Sequence, residues 1–130
     1  MLKKDGVIWH TAISLDGFAA DVNDSLGFMM GDDTGPPDDT SLVDAVMANL
    51  GCTLGGRRGY DISQDWDEAP KAYGLDDIPE IVVTRRTFPN DPRYAFADGN
   101  DLPGAVAMAK AKAKGRMVVI LGPTLGSAML

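Results

Sequence analysis

The chain has 130 residues, 45% of them hydrophobic and 24% charged, which are values typical of one globular domain that can bury a core. Its formal net charge of −7 excludes nucleic acid and anionic membrane surfaces as main partners, because phosphate-backbone binding needs a basic surface. One cysteine and one histidine exclude an internal disulfide and a Cys/His zinc site, and without a signal-peptide or membrane-length apolar run we expect a cytoplasmic protein with no membrane partner.

The N-terminal part predicts one buried strand followed by a long loop. Residues 6–13 form a nearly continuous apolar run, more typical of a strand buried on both faces than of an alternating one. Residues 14–18 end that strand. Residues 19–40 are rich in Asp, Gly and Pro, and loops of this length are usually functional or mobile. Leu26 stands where a calcium-binding loop needs glycine, so we predict a solvated loop and no metal site.

A helix and two strands are predicted in the middle of the chain. Residues 41–50 combine a capping-box pattern with one apolar face, and Gly51 is expected to cap the helix C-terminus. The capping-box residues are Ser41 and Asp44, and the apolar face comprises Leu42, Val43, Val46, Met47 and Leu50. Residues 52–54 and residues 80–84 then predict short buried strands.

The C-terminal part predicts a helix, a strand and the start of another helix. The first helix begins near residue 101 with Pro103 in its first turn, and it ends at Gly115. Residues 116–121 predict the last buried strand, and Gly122 opens the following helix. Alternating strands and helices joined by short turns predict an α/β sheet with parallel neighbours.

Two pairs of adjacent arginines follow two of the predicted strands. Arg57 and Arg58 come after the strand at 52–54, and Arg85 and Arg86 come after the strand at 80–84. In open α/β sheets ligands bind outside the carboxyl ends of the strands, and guanidinium groups suit phosphate geometry. The pattern therefore favours a site for a phosphate-rich small molecule, although solvated surface charge explains paired arginines equally well.

Four short motifs resemble, in order and spacing, those of the dihydrofolate reductase-like family. They lie at residues 12–18, 56–60, 83–85 and 122–125, with the sequences AISLDGF, GRRGY, VTR and GPTL. The resemblance is greatest to the branch of the bacterial bifunctional deaminase-reductase (RibD) C-terminal domain, which acts in riboflavin biosynthesis. It implies one α/β domain over residues 1–130, with a largely parallel central sheet flanked by helices but without the family's usual C-terminal strands.

The resemblance also implies NADPH as cofactor and hydride transfer to a small pterin, pyrimidine or related heterocyclic substrate. The residues that match the family's NADPH-binding positions are Ala12, Gly56, Arg57, Arg58, Thr84, Arg85, Gly122, Pro123, Thr124 and Leu125. In this assignment Thr84 and Arg85 read the 2′-phosphate. On the substrate side stand Asp16 and Trp66; Asp16 could equally stabilise its turn, and Trp66 could line the cleft or simply pack.

Three departures from the family's pattern leave two functions open. Leu121 stands where glycine is usual, Gly59 stands where threonine is common, and family members continue past the position of Leu130. One function is an NADPH-dependent reductase, and the other is a non-catalytic relic that retains only a nucleotide-binding or self-association surface. A chain that ends at Leu130 leaves the first strand as an open edge, so we expect a homo-oligomer formed through that edge.

Overall fold

The structure is a computed structural model, and it describes Lys3, residues 5–25, residues 39–65, Leu75 and residues 77–130. Five parallel strands form one sheet in the order β1-β5-β2-β3-β4. The strands are β1 (Val7–Trp9), β2 (Leu50–Gly56), β3 (Glu80–Thr84), β4 (Ala95–Asp98) and β5 (Met117–Ile120), and the helices are α1 (Ser41–Asn49), α2 (Arg57–Ser63), α3 (Leu102–Ala113) and α4 (Pro123–Ala128). Among the described residues no helix combines the length and the apolar character needed to cross a membrane.

Helices cover both faces of the sheet, and each face has its own apolar cluster. On one face α3 and α4 pack against a cluster of strand residues, to which α3 contributes three buried alanines one helical turn apart. The alanines are Ala105, Ala109 and Ala113, and the strand residues are Cys52, Leu54, Ile81, Val83, Ala97, Val118 and Ile120. On the other face Val46 of α1 packs against Leu50, Met117 and Val119. Successive strand residues alternate between the two clusters because side chains alternate across a sheet.

Gly51 lies inside β2, where the backbone approaches the end of α3. The register of β2 against β5 shifts between Leu50 and Cys52, which makes Gly51 the extra residue of a β-bulge. A Cβ at this position would lie 2.6 Å from the Cβ of Arg116 and 2.7 Å from the carbonyl oxygen of Ala113. The predicted role of Gly51 as a helix C-cap is therefore wrong, and the glycine is needed for close packing.

The first strand is shorter and less buried than the sequence predicts. β1 spans Val7–Trp9, pairs only with β5 among the described residues, and lies at one edge of the sheet. The His10 N–H still donates to the Ile120 carbonyl at 3.3 Å, but β5 ends at Ile120 and offers no further partner. Ile13 is accordingly outside the strand and 58% exposed. The apolar run thus marks a half-buried edge strand.

α1 also differs from its predicted form at both ends. Thr40 is the N-cap, and its hydroxyl donates to Asp44 Oδ2 at 2.9 Å rather than forming the predicted Ser41–Asp44 box. Only Val46 of the helix is fully buried, and Leu42 is 59% exposed. Leu50 belongs to β2, because the backbone becomes extended there.

Two elements of the second half, β3 and α3, follow the sequence signals closely. β3 has the predicted bounds, and α3 begins after Asp101, whose carboxylate accepts the Gly104 N–H at 2.9 Å. α3 ends through left-handed backbone at Lys114 (φ 51°) and Gly115 (φ 79°), as its glycine signal indicates. The sequence interpretation missed two short elements, α2 and β4.

Candidate functional site

Three neighbouring strands bring their carboxyl ends to one edge of the sheet. β2 runs directly into α2 at Arg57, β3 ends at Thr84, and β5 leads through Gly122 into α4. Gly56 pairs with Val83 in the register of β2 and β3, and the Leu121 N–H donates to the Leu54 carbonyl at 2.7 Å. The predicted residues after these strands, from 56 to 58, 84 to 85 and 122 to 125, therefore share the edge at which parallel sheets bind ligands.

Asp61 on α2 holds one arginine from each pair. Its Oδ1 accepts Arg57 Nε at 2.7 Å, and its Oδ2 accepts Arg86 Nη2 at 2.5 Å. Arg57 also donates to the Thr87 carbonyl at 3.0 Å, so it joins the ends of β2 and β3. These hydrogen bonds, the one from Arg57 above all, lower the pKa of Asp61 below its usual value. Arg57 and Arg86 thus share one carboxylate, which holds both guanidinium groups.

A second network fixes α2 to the loop that follows β3. Tyr60 donates to Asp91 at 3.1 Å, and Asp91 accepts two side-chain hydrogen bonds from Arg93, at 2.7 and 3.0 Å. The Arg93 hydrogen bonds lower the pKa of Asp91 to about 2, whereas desolvation raises the pKa of Tyr60. The Tyr60 ring meets Tyr94 and Phe96 edge-on, with centroids 5.1 and 5.6 Å away. α2 and residues 85–94 therefore form one packed unit.

Arg58 is held by a residue from the long N-terminal loop. Its guanidinium faces both carboxylate oxygens of Asp24, with Nη2 at 2.5 and 2.6 Å and Nε at 3.2 Å. The hydrogen bond to Asp24 raises the pKa of Arg58 above its usual value. The Arg58 side chain is 77% exposed, so this pair lies in contact with solvent.

Arg85 is the arginine of this edge that has no carboxylate partner within the described part of the chain. It is exposed, and its Cγ would lie only 2.9 Å from a Cβ at Gly99, so the missing side chain of Gly99 makes room for it. Thr84, by contrast, is 5% exposed, and its hydroxyl accepts the Arg86 N–H at 3.1 Å. The structure thus presents Arg85 to solvent and turns Thr84 towards its own chain.

The turn into α4 leaves its backbone open. Gly122 has φ 83°, which favours glycine, and a Cβ built there meets no atom of the described residues within 4 Å. Pro123 and Thr124 are exposed, whereas Leu125 packs against the core. The Leu121 side chain packs on the apolar cluster of the α1 face, alongside Val119 and Met117. Leu121 therefore contributes to the core instead of filling the space over Gly122.

The remaining predicted site residues lie in or beyond the N-terminal loop. Ala12 is exposed in irregular backbone three positions after β1 ends. Asp16 is exposed in a turn, where Oδ1 accepts the Ser14 hydroxyl at 2.6 Å and Gly17 adopts φ 90°. A turn-stabilising contact of Asp16 is thus present, and contact with a substrate stays a prediction. Trp66 lies outside the described residues.

The acidic partners of the arginines were not found from the sequence. Arg57 and Asp61 have the i,i+4 spacing of a helical ion pair, which is a usable signal once α2 is recognised. Asp24 and Arg58 are 34 residues apart, and no local pattern joins them. The only cysteine, Cys52, is buried, and desolvation raises its pKa to about 11, so its thiol is unsuited to act as a nucleophile at neutral pH.

The chain shares its fold with a protein from Shewanella sp. PV-4 that carries the provisional name riboflavin biosynthesis protein. The two structures superpose with a TM-score of 0.63 at 23% sequence identity. The match covers 92% of this chain and 66% of the Shewanella chain, slightly less than two thirds of its length. The predicted fold class, a dihydrofolate reductase-like α/β domain with a parallel central sheet flanked by helices, is confirmed. No family model and no curated protein matches the chain.

Proposed function

We propose that this protein is an NADPH-dependent reductase that transfers hydride to a pterin, pyrimidine or related heterocycle. The observation that carries the proposal is the exposed guanidinium of Arg85, without a carboxylate partner in the described ranges, at the carboxyl edge of a parallel sheet. An uncommitted cation at that edge favours an anionic ligand. The fold shared with the Shewanella protein, which is named for riboflavin biosynthesis, also supports this proposal.

The residues of this edge suit a dinucleotide that carries a 2′-phosphate. Arg85 and Arg58 offer exposed guanidinium groups. Gly122 offers backbone that a pyrophosphate can approach, because no described residue fills the place of its Cβ. Arg57 holds the ends of β2 and β3 together, so it would position the site through its bonds to Asp61 and Thr87. When bound, NADPH would supply the hydride.

The proposal assigns Asp16 the role of contacting the substrate. One carboxylate oxygen is used by Ser14, which leaves Oδ2 with no hydrogen bond inside the described part of the chain. A carboxylate of this kind can accept a hydrogen bond from an N–H of a heterocyclic ring. The Ser14 bonds, with the Phe18 N–H donating to Ser14 Oγ at 3.0 Å, would hold that carboxylate in place.

The decisive experiment compares NADPH and NADH binding by calorimetry in the parent protein, Arg85→Ala and Lys110→Ala. Charge-assisted hydrogen bonds contribute about 1.5–3 kcal/mol each, so we expect NADPH to bind at least about tenfold more tightly than NADH. Arg85→Ala should remove most of this preference and leave NADH affinity nearly unchanged. Lys110→Ala, which removes an exposed cation on α3, should change neither. Equal affinities of the parent for both nucleotides would refute the cofactor assignment.

A non-catalytic protein that acts through self-association is the second candidate. It is favoured by the unpaired outer edge of β1 among the described strands and by the apolar side chains exposed after it. Ile13 is 58% exposed, Phe18 61% and Val22 98%. Oxidation of NADPH in the presence of pteridine or pyrimidine substrates separates the candidates, because the second predicts none.

A further inference from the structure

The Asp24–Arg58 pair joins two parts of the proposed site that are distant in sequence. Arg58 lies in the first turn of α2, immediately after β2, and Asp24 lies in the same loop as Asp16. Arg58 Nη2 lies 2.5 and 2.6 Å from the two carboxylate oxygens of Asp24, and Nε lies 3.2 Å from Oδ2, so two nitrogens of the guanidinium group donate to the carboxylate. The loop that carries the proposed substrate residue is therefore tied to the proposed phosphate residue.

The loop presents Asp24 in a defined geometry. Asp21 and Ser25 close a turn in which the Asp21 N–H donates to the Ser25 carbonyl at 3.0 Å. Asp21 Oδ1 accepts the N–H groups of Asn23 and Ser25 at 2.7 and 2.9 Å. Asp24 itself has φ 62°, a left-handed conformation that aspartate tolerates better than most side chains. The hydrogen bonds of this turn thus fix the backbone that carries the Asp24 carboxylate.

The neighbouring arginines differ in how easily an anion can reach them. Arg57 has a side chain only 20% exposed, inside the unit built by Asp61 and Thr87, whereas the Arg58 side chain is 77% exposed. Exposed ion pairs contribute about 0.2–1 kcal/mol, which a polyvalent anion can outcompete. Arg58 can therefore exchange partners while Arg57 stays in place.

We propose that Asp24 competes with the bound phosphate for Arg58, so that anion binding at the sheet edge releases the 14–25 loop from α2. This proposal rests on the proposed function, since it takes the anion to be a cofactor phosphate. Asp24 lowers the affinity of the site for anions and couples that affinity to the position of the Asp16 turn. Its action goes through Arg58, which makes it a positioning residue.

The first test measures binding of inorganic pyrophosphate and of NADPH to the parent, Asp24→Asn and Asp77→Asn. Asp24→Asn removes the competing charge at nearly constant size, and we expect both ligands to bind about two- to fivefold more tightly at low salt, the range given by an exposed ion pair. Asp77→Asn makes the same change in net charge. Asp77 is exposed and precedes β3, so it lies at the amino ends of the strands, away from the proposed site. The affinities of Asp77→Asn for both ligands should therefore equal those of the parent.

The second test follows the loop directly. Val22 is 98% exposed, and Val22→Cys can be labelled with a fluorophore while the buried Cys52 stays unreacted. Saturating pyrophosphate should lower the fluorescence anisotropy of the labelled protein, because the loop gains freedom on release. In an Arg58→Gln background the anisotropy should start low and should not respond to pyrophosphate.

The outcomes separate this proposal from the proposed function. If the parent binds NADPH but Asp24→Asn binds no more tightly and the loop label does not respond, competition by Asp24 is wrong while the cofactor assignment stands. If neither protein binds NADPH or pyrophosphate, both proposals are wrong. Tighter binding by Asp24→Asn together with an anisotropy change lost in Arg58→Gln supports the competition.

Discussion

Replacing Gly51 by alanine tests the packing of β2 against the end of α3. The new Cβ would lie 2.6 Å from Arg116 Cβ, 2.7 Å from the Ala113 carbonyl and 2.9 Å from Ala113 Cβ. The carbon–carbon contacts fall short of a favourable separation of about 3.5 Å, and both carbons are fixed to the backbone. Overpacking of this kind costs about 1–3 kcal/mol, and three simultaneous contacts place Gly51→Ala near the upper end. The backbone-entropy gain of about 0.5–1 kcal/mol from removing a glycine offsets part of it.

Urea and thermal unfolding of Gly51→Ala and Gly59→Ala give the comparison. A Cβ at Gly59 meets no atom of the described residues within 4 Å, and Gly59 lies inside α2, so the same substitution should stabilise there by up to about 1 kcal/mol. We expect Gly51→Ala to lose about 2 kcal/mol, which is roughly 6–12 °C in Tm for a chain of this size. Arg116→Gly in the Gly51→Ala background should restore only part of the loss, because the Ala113 carbonyl remains. A loss below about 1 kcal/mol would refute the close approach of β2 to the end of α3.

Two further predictions concern acid stability and self-association. Because the pKa of Asp91 is lowered from 3.8 to about 2, its contribution to stability is complete above pH 4 and is lost as the pH falls through 2. When urea unfolding is followed from pH 5 to pH 2, we expect the free energy of unfolding to fall by about 1–2 kcal/mol through Asp91, a range already reduced for the exposure of Arg93. The free energy of unfolding of Asp91→Asn should fall less. An equal fall in both proteins would contradict the role assigned to Asp91. The outer edge of β1, which is unpaired among the described strands, predicts a dimer or larger assembly by light scattering, whereas a monodisperse monomer would show that the edge is covered.

Helices and strands were predictable from the sequence where capping or turn residues mark their ends and apolar residues mark their buried side. β3 is a short apolar run, and α3 has Asp101 at its start and Gly115 after its end, so local preferences and tertiary packing agree. β4 was missed because Ala95–Asp98 has only four residues and depends on pairing with β3. α2 was missed because its first residues were interpreted as an arginine turn, and a helix of 7 residues has little local signal.

Errors at the other elements came from contacts that only the folded chain supplies. The role of Gly51 depends on Ala113 and Arg116, which are more than 60 positions away along the sequence. The length of β1 depends on where its partner β5 ends. The sequence interpretation identified the arginines that follow β2 and β3, but their acidic partners could not be identified without the pairing of the strands and the path of the loop.

The four arginines of the two pairs cannot be told apart in the sequence. In the structure they have different partners, so replacing each of them should have a different effect. Arg57 and Arg86 share Asp61, so replacing either removes a charge-assisted hydrogen bond to that carboxylate and should reduce stability. Arg58 pairs with Asp24 in contact with solvent, so its replacement should alter the loop with little change in stability. Arg85 makes no ion pair with any residue the structure describes, so its replacement should reduce anion affinity alone. We therefore expect ligand binding and fold stability to depend on different members of the two pairs, so that a single substitution can separate them.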